Sequence, residues 1–187
     1  MNDNSNIKKD TLVTVLMPVY NAEEFLKESI ESILSQTYSN IEFLIINDCS
    51  TDNSLKIIDS FNDPRIVVHS NSTNLGQTKS LNIGLKLMKG EYGIINDADD
   101  LSLPNRIEKQ LNYILDHPQY CVVGCHSYIM DKVGKIYRSF KKPTNISEMF
   151  LSILSDTPMI HGSVIMQKEV ILNLSEILLM YLMKRND

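Results

Sequence analysis

Thr11 to Asp48 reads TLVTVLMPVYNAEEFLKESIESILSQTYSNIEFLIIND, and this stretch decides the fold. Leu12 to Met17 is a short apolar run ended by Pro18, and Ile41 to Ile46 is a second; both are brief and rich in β-branched residues, the pattern of buried strands. Between them Phe25, Leu26, Ile30, Ile33 and Leu34 recur at helical spacing, with Asn21 placed as N-cap and Glu24 as its capping-box partner. The segment predicts a strand, a helix and a second strand.

The same alternation continues outward. Ser50-Thr51-Asp52 is a helix start, Leu55, Ile58 and Phe61 form an apolar stripe, Pro64 breaks it, and Arg65 to His69 reads as strand. A third helix carries Leu81, Leu85 and Met88, ends at Gly90, and leads to a strand over Tyr92 to Asn96. Beyond it, Pro104 sits at a first helical position and Ile107, Leu111, Ile114 and Leu115 give the next helix its face up to His117-Pro118. Tyr120 to Met130 reads as one strand, Ile136 to Phe140 as another after a Lys132–Lys135 turn, Ile146 to Leu154 as a helix, and Ser163 to Met166 as a last strand. Val170 to Met183 is an apolar tail holding Asn173 and Glu176, expected to dock on the sheet as a helix. The prediction is an α/β fold with a mostly parallel sheet flanked by helices: a polar tail over residues 1–10 and a single domain over residues 11–187.

Composition is ordinary for a globular protein, with 43% apolar and 22% charged residues. A net charge of -5 without clustered Lys and Arg argues against a nucleic-acid groove. Met1 to Asp10 lacks the apolar core of a secretory signal, and no apolar run approaches the ~20 residues of a membrane span, so a cytoplasmic protein is expected. Cys49, Cys121 and Cys125 show no disulfide spacing, and Cys121, Cys125 and His126 fall short of a four-ligand zinc set.

In open α/β sheets ligands sit beyond the carboxyl ends of the strands, here Pro18 to Asn21, Asn47 to Asp52, Asn71 to Lys79 and Asp97 to Asp100. Asp97 and Asp99 are two apart, so on an extended backbone they point the same way, as hard oxygen ligands for Mg²⁺, Mn²⁺ or Ca²⁺; a solvated acidic turn with Asp100 capping the next helix is the other reading. No GxGxxG or GxxxxGK[ST] loop is present to cradle phosphates, which removes the main support for dinucleotide and P-loop sites.

Four loops together resemble those of the family 2 glycosyltransferases of GT-A fold: PVYN at Pro18 to Asn21, NDCSTDNS at Asn47 to Ser54, NLGQTKSLNIGL at Asn74 to Leu85, and DADD followed by LPNR at Leu103 to Arg106. The resemblance runs from about Thr14 to Met166 and implies transfer of a sugar, with inversion, from a nucleotide diphosphate to a saccharide or lipid-linked acceptor. It implies a nucleotide site on Pro18, Tyr20, Asn21, Asp48, Lys79 and Asp97, with Tyr20 stacked on the base, Asp48 reading a uracil imide N–H, Asp97 facing the ribose, and Asp99 holding the Mg²⁺ or Mn²⁺ that bridges a UDP-sugar's phosphates. For Asp48 capping of the following helix is the alternative, and for Lys79 a solvated position. His161 matches a loop that borders the acceptor site, though a histidine before a strand also reads as structural.

Two departures from the family pattern stand out. Asn47 and Cys49 replace a second acid and a small residue, and Cys49 is strained if that backbone needs a positive φ. The general base expected beyond the last strand has no match, since Glu169, Glu176 and Asp187 lack the setting, so no catalytic base is assigned. The chain therefore reads as a C-terminally truncated donor-binding portion lacking the usual acceptor side; a nucleotide-sugar binding module without turnover is the alternative. Association with the inner face of a membrane and pairing of the apolar tail with a second copy are further expectations. A sugar-phosphate nucleotidyltransferase would instead require a glycine-rich, arginine-containing loop where PVYN stands.

Overall fold

The computed structural model describes residues 10–152 and 158–173. Its strands are β1 (Val13–Val19), β2 (Ile41–Asn47), β3 (Ile66–Ser70), β4 (Tyr92–Ile95), β5 (Val122–Val123), β6 (Ser127–Met130), β7 (Ile136–Phe140) and β8 (Ile165–Gln167). Its helices are α1 (Leu26–Leu34), α2 (Ser54–Asp59), α3 (Gln77–Leu87), α4 (Arg106–Asp116), α5 (Ile146–Ser152) and α6 (Lys168–Asn173), with a 3-10 turn at His161–Ser163. One six-stranded sheet has the order β3-β2-β1-β4-β8-β5, and β6 and β7 form a separate hairpin. The four strands β3, β2, β1 and β4 run parallel, and β8 lies antiparallel between β4 and β5.

Alternation along β1 and β2 divides the core into two layers. Val13, Val15, Met17, Phe43 and Ile45 face Leu26, Ile30 and Ile33 of α1, Ile58 of α2, and Ile107, Leu111 and Ile114 of α4. Leu16, Leu44, Ile46 and Ile95 face Leu81 and Leu85 of α3 on the other side. Gly84 permits that second contact: a Cβ there would stand 2.9 Å from Leu16 Cδ2 and 3.3 Å from Ile46 Cγ1, both on buried side chains. Helices thus cover both faces, and the parallel strands release their loops at one edge. Among the described residues no helix is long and apolar enough to cross a membrane.

Several boundaries differ from the sequence expectation. β1 continues through Pro18 to Val19, because its pairing with β4 ends at Leu16↔Ile95 and Pro18, two residues on, directs its missing N–H to that vacated side. Asn21 is not an N-cap. α1 begins a turn later behind Phe25, and Asn21 adopts φ 48°, its Oδ1 accepting from the Thr51 N–H (2.8 Å). The entry to α1 is tied down from the neighbouring loop instead: the N–H groups of Ala22 and Glu23 donate to Ser54 Oγ (2.9 Å) and Asp52 Oδ2 (3.0 Å). Pro104 precedes α4 in a turn, and its carbonyl accepts from the Thr37 N–H at 2.8 Å. The single strand expected over Tyr120 to Met130 is two, since the chain leaves the main sheet after Val123 and re-pairs as β6 with β7. The tail reads as helix α6 to Asn173; its continuation to Met183, Glu176 and Asp187 lie outside the described residues.

Candidate functional site

A cleft of about 590 Å³ opens at the carboxyl edge of the parallel strands, lined by Pro18 to Ala22 at the end of β1 and just beyond it, Asp48 after β2, Asn74, Gly76 and Gln77 before and at the start of α3, Asp97 to Asp99 after β4, and Phe25. It lies where the chain switches from helices on one face of the sheet to α3 on the other, the usual crevice of an open α/β sheet. Pro18, Tyr20, Asn21, Asp48, Asp97 and Asp99 all line it, and Tyr20 is half exposed at its mouth.

Asp48 is 2% exposed and does not cap the helix that follows it. Its Oδ1 accepts from Asn71 Nδ2 (2.7 Å) and the Leu75 N–H (2.9 Å), and its Oδ2 from the Gly76 N–H (2.7 Å). Burial pushes this carboxyl up, but the Asn71 amide, the two N–H groups and the Ser80 hydroxyl outweigh it and hold Asp48 below the ordinary carboxylate range, so it is an anion wherever the protein is folded near neutrality. At the start of helix α2 the Ser54 N–H donates instead to Asp52 Oδ1 at 2.9 Å, and Asn53 is the N-cap residue. The flanking residues shape the turn: Asn47 Oδ1 accepts from the Ser50 N–H (3.1 Å), and Cys49 sits at φ 60°, the left-handed conformation that glycine, with no Cβ, would adopt with less strain.

Asp97 and Asp99 do not share one face of an extended strand. A turn closes at Asp97, where the Asp100 N–H donates to the Asp97 carbonyl (3.1 Å), so Asp97 is buried at 8% exposure and Asp99 is exposed. The turn is fixed from below: Ser29 Oγ donates to the Asp97 and Asp100 carbonyls, and buried Asn96 Nδ2 donates to both as well. With its carbonyls engaged inside, the turn presents carboxylates to the cleft. Asp97 Oδ1 accepts from Gln77 Nε2 at 2.8 Å. Because the Gly76 N–H next to it binds Asp48, two consecutive residues connect the carboxylates after β2 and β4.

Arg106 is a half-buried cation behind this edge. It donates to Asn96 Oδ1 (3.0 Å), Ser102 Oγ (2.9 Å) and the carbonyls of Ile95 (3.0 Å) and Gly162 (2.8 Å). Burial pulls its pKa down, and the neighbouring Cys125, Asp100 and Asp97 oppose that. Four structural residues of this site, Asn71, Gln77, Ser29 and Arg106, were not singled out as site residues by the sequence. Asn71, Gln77 and Arg106 lie in the loops and motifs quoted above, but Asn71 and Gln77 reach carboxylates 20 or more residues away and Arg106 reaches across to Gly162, 56 residues on.

Two expected residues lie apart from the cleft lining. Lys79 is exposed on α3, and His161 is packed behind the site with Nδ1 3.8 Å from Asp97 Oδ1. Glu169 is exposed on α6 and is not part of the cleft either. Among the described residues no three His, Cys, Asp or Glu side chains gather into a metal cluster. Asp99 is an exposed hard oxygen donor on the cleft wall, and Mg²⁺ is commonly held by one or two carboxylates with phosphates and water completing its shell, so this residue fits such an ion.

Residues 14–174 match the model of glycosyl transferase family 2. The chain belongs to this family. It is 36% identical over 169 residues to an uncharacterized glycosyltransferase of Haemophilus influenzae, covering 85% of this chain and 52% of the relative. It is also 38% identical over 162 residues to the putative glycosyltransferase EpsE of Bacillus subtilis, covering 83% and 56%. The chain thus spans about half the length of the curated relatives it matches. Two solved structures share its α/β fold: the mannosyltransferase PcManGT of Pyrobaculum calidifontis in complex with GDP-Man and Mn²⁺ (TM-score 0.65, 22% identity, 87% of this chain and 46% of that one), and residues 1–349 of S. aureus TarS in complex with UDP (TM-score 0.65, 22% identity, 86% and 48%).

Proposed function

We propose that this family 2 domain binds a nucleotide-diphosphate sugar, with a UDP-sugar as donor, and that the protein transfers the sugar with inversion to a saccharide or lipid-linked acceptor. The observation that carries the reading is that Asp48, Asp97 and Asp99, supplied by loops nearly fifty residues apart, line one cleft with Tyr20 at its mouth. A uracil ring presents an imide N–H where cytosine presents an acceptor, so the Asp48 anion selects uracil over cytosine. Tyr20 stacks on the base, Pro18 and Asn21 shape the loop beneath it, and Asp97 faces the ribose. Asp99 holds Mg²⁺ or Mn²⁺, which when bound supplies a Lewis acid for the charge that grows on the departing diphosphate. Lys79 is exposed on the helix that closes this side, so its contribution is at most to attract the phosphates.

A thermal-shift panel of UDP, GDP, CDP and dTDP, each with and without Mn²⁺, tests this directly. UDP with Mn²⁺ at 100 times its dissociation constant should add about 2.7 kcal/mol of stability and give the largest shift. In Asp99→Ala the Mn²⁺ dependence should vanish. No shift with any nucleotide, or a dependence that survives in Asp99→Ala, refutes the donor site or the metal assignment respectively. A binding module without turnover is the second reading, favoured by the exposed position of Glu169 away from the cleft; sugar release measured with a panel of acceptors separates the two.

A further inference from the structure

The β6–β7 hairpin carries a surface that donor binding does not use. Ser127 to Lys142 holds five of the chain's 18 Lys and Arg (Lys132, Lys135, Arg138, Lys141 and Lys142) against one of its 23 acids, Asp131, in a protein of net charge -5. On the same ribbon large apolar side chains stand in solvent: Val133 at the turn is 86% exposed, Tyr137 64%, Tyr128 58% and Ile136 57%. A two-stranded ribbon this exposed buries little surface of its own.

We propose that this ribbon docks the protein on an anionic lipid bilayer, with Val133, Ile136 and Tyr137 entering the headgroup boundary and Lys135 and Arg138 meeting lipid phosphates. Basic residues interleaved with tyrosine and aliphatic side chains are the composition of interfacial segments, and each Lys or Arg near an anionic surface adds to the attraction. A polyanion such as nucleic acid would use the cations but leave Val133 and Ile136 in water. Symmetric pairing of two copies through this ribbon would set five cations against five. Charge complementarity therefore favours an anionic surface that also has an apolar interior. The hairpin turn borders the cleft, with Lys132 Nζ 2.7 Å from Glu24 Oε1 and 5.7 Å from the ring centre of cleft-lining Phe25, so docking would bring the cleft mouth to the bilayer.

Flotation of the full chain with phosphatidylcholine vesicles, and with vesicles containing phosphatidylglycerol, tests the assignment. Binding is expected to the anionic vesicles, weakened by salt. It should fall more than tenfold in Lys135→Glu/Arg138→Glu and again in Val133→Asp/Tyr137→Ser, with thermal midpoint and UDP response as in the unaltered protein, because these side chains are exposed and none of them lines the cleft. Equal binding to both vesicle types, no binding to either, or binding that survives both double substitutions overturns it. So does a concentration-dependent dimer, seen by sedimentation, that the same substitutions abolish. The nucleotide panel is read independently, so loss of one result leaves the other standing.

Discussion

A carboxylate buried at 2% exposure has to be compensated, and Asp48 accepts from Asn71 Nδ2 and the N–H groups of Leu75 and Gly76, with the Ser80 hydroxyl adding to them. The residue therefore organises the loop before α3 and, in the proposed function, reads the base as well. Hydrogen bonds to charged groups contribute roughly 1.5–3 kcal/mol, so Asp48→Ala should weaken UDP binding about 10- to 150-fold and level the preference for UDP over CDP, with the gain from Mn²⁺ kept. Calorimetric titration of both nucleotides checks this; unchanged UDP affinity refutes the reader. The residue type and its place after β2 were legible in the sequence. The triple anchoring was not, because Asn71, Leu75 and Gly76 reach Asp48 only once β3 has paired beside β2 through Phe43↔Ile66 to Asn47↔Ser70.

Elements meet at the site through polar groups that no periodicity announces. Arg106 opens α4, and its guanidinium joins that helix to β4 through the Ile95 carbonyl and to the 3-10 turn through the Gly162 carbonyl. Gln110, one turn on, donates to the Ser163 (2.7 Å) and Val123 (3.1 Å) carbonyls, tying the same helix to the sheet's antiparallel edge. Arg106→Met keeps length and apolar stem but leaves buried acceptors without a donor, each costing about 1–3 kcal/mol. The expected result is a loss above about 2 kcal/mol in urea unfolding, together with a weaker Mn²⁺ response, since the Asp97–Asp100 turn rests on Asn96, which Arg106 holds. The helical face of α4 at Ile107, Leu111 and Ile114 was readable from spacing. The split of Tyr120 to Met130 into β5 and β6 was not: Val122–Val123 pairs with β8 and Ser127–Met130 with β7, a choice of partners that spacing along the chain does not name.

For the whole molecule, acid should act through carboxylates that the fold holds in their charged form. Asp48 and Asp52 lie below their ordinary value despite burial, through the donors described, and Asp63 lies below it because Arg65 binds it at 2.8 Å. Each such group stabilises the fold fully above the ordinary carboxyl value of about 3.8, and that contribution is lost as the pH falls through the lower folded value. Urea midpoints should be level from pH 6 to 5 and drop below about pH 4, with a shallower drop in Asp48→Asn. The amino-acid order alone determined the strand and helix alternation, hence a parallel sheet whose loops emerge at one edge with Asp48, Asp97 and Asp99 among them, because backbone geometry converts apolar spacing directly into buried faces. Only the tertiary structure decided that Asp97 is buried and Asp99 exposed, that Gln77 rather than Lys79 reaches the carboxylates, and that the basic ribbon stands clear of the sheet. Those outcomes depend on contacts between residues far apart in the chain, where packing and hydrogen-bond satisfaction choose among partners that local pattern leaves equivalent.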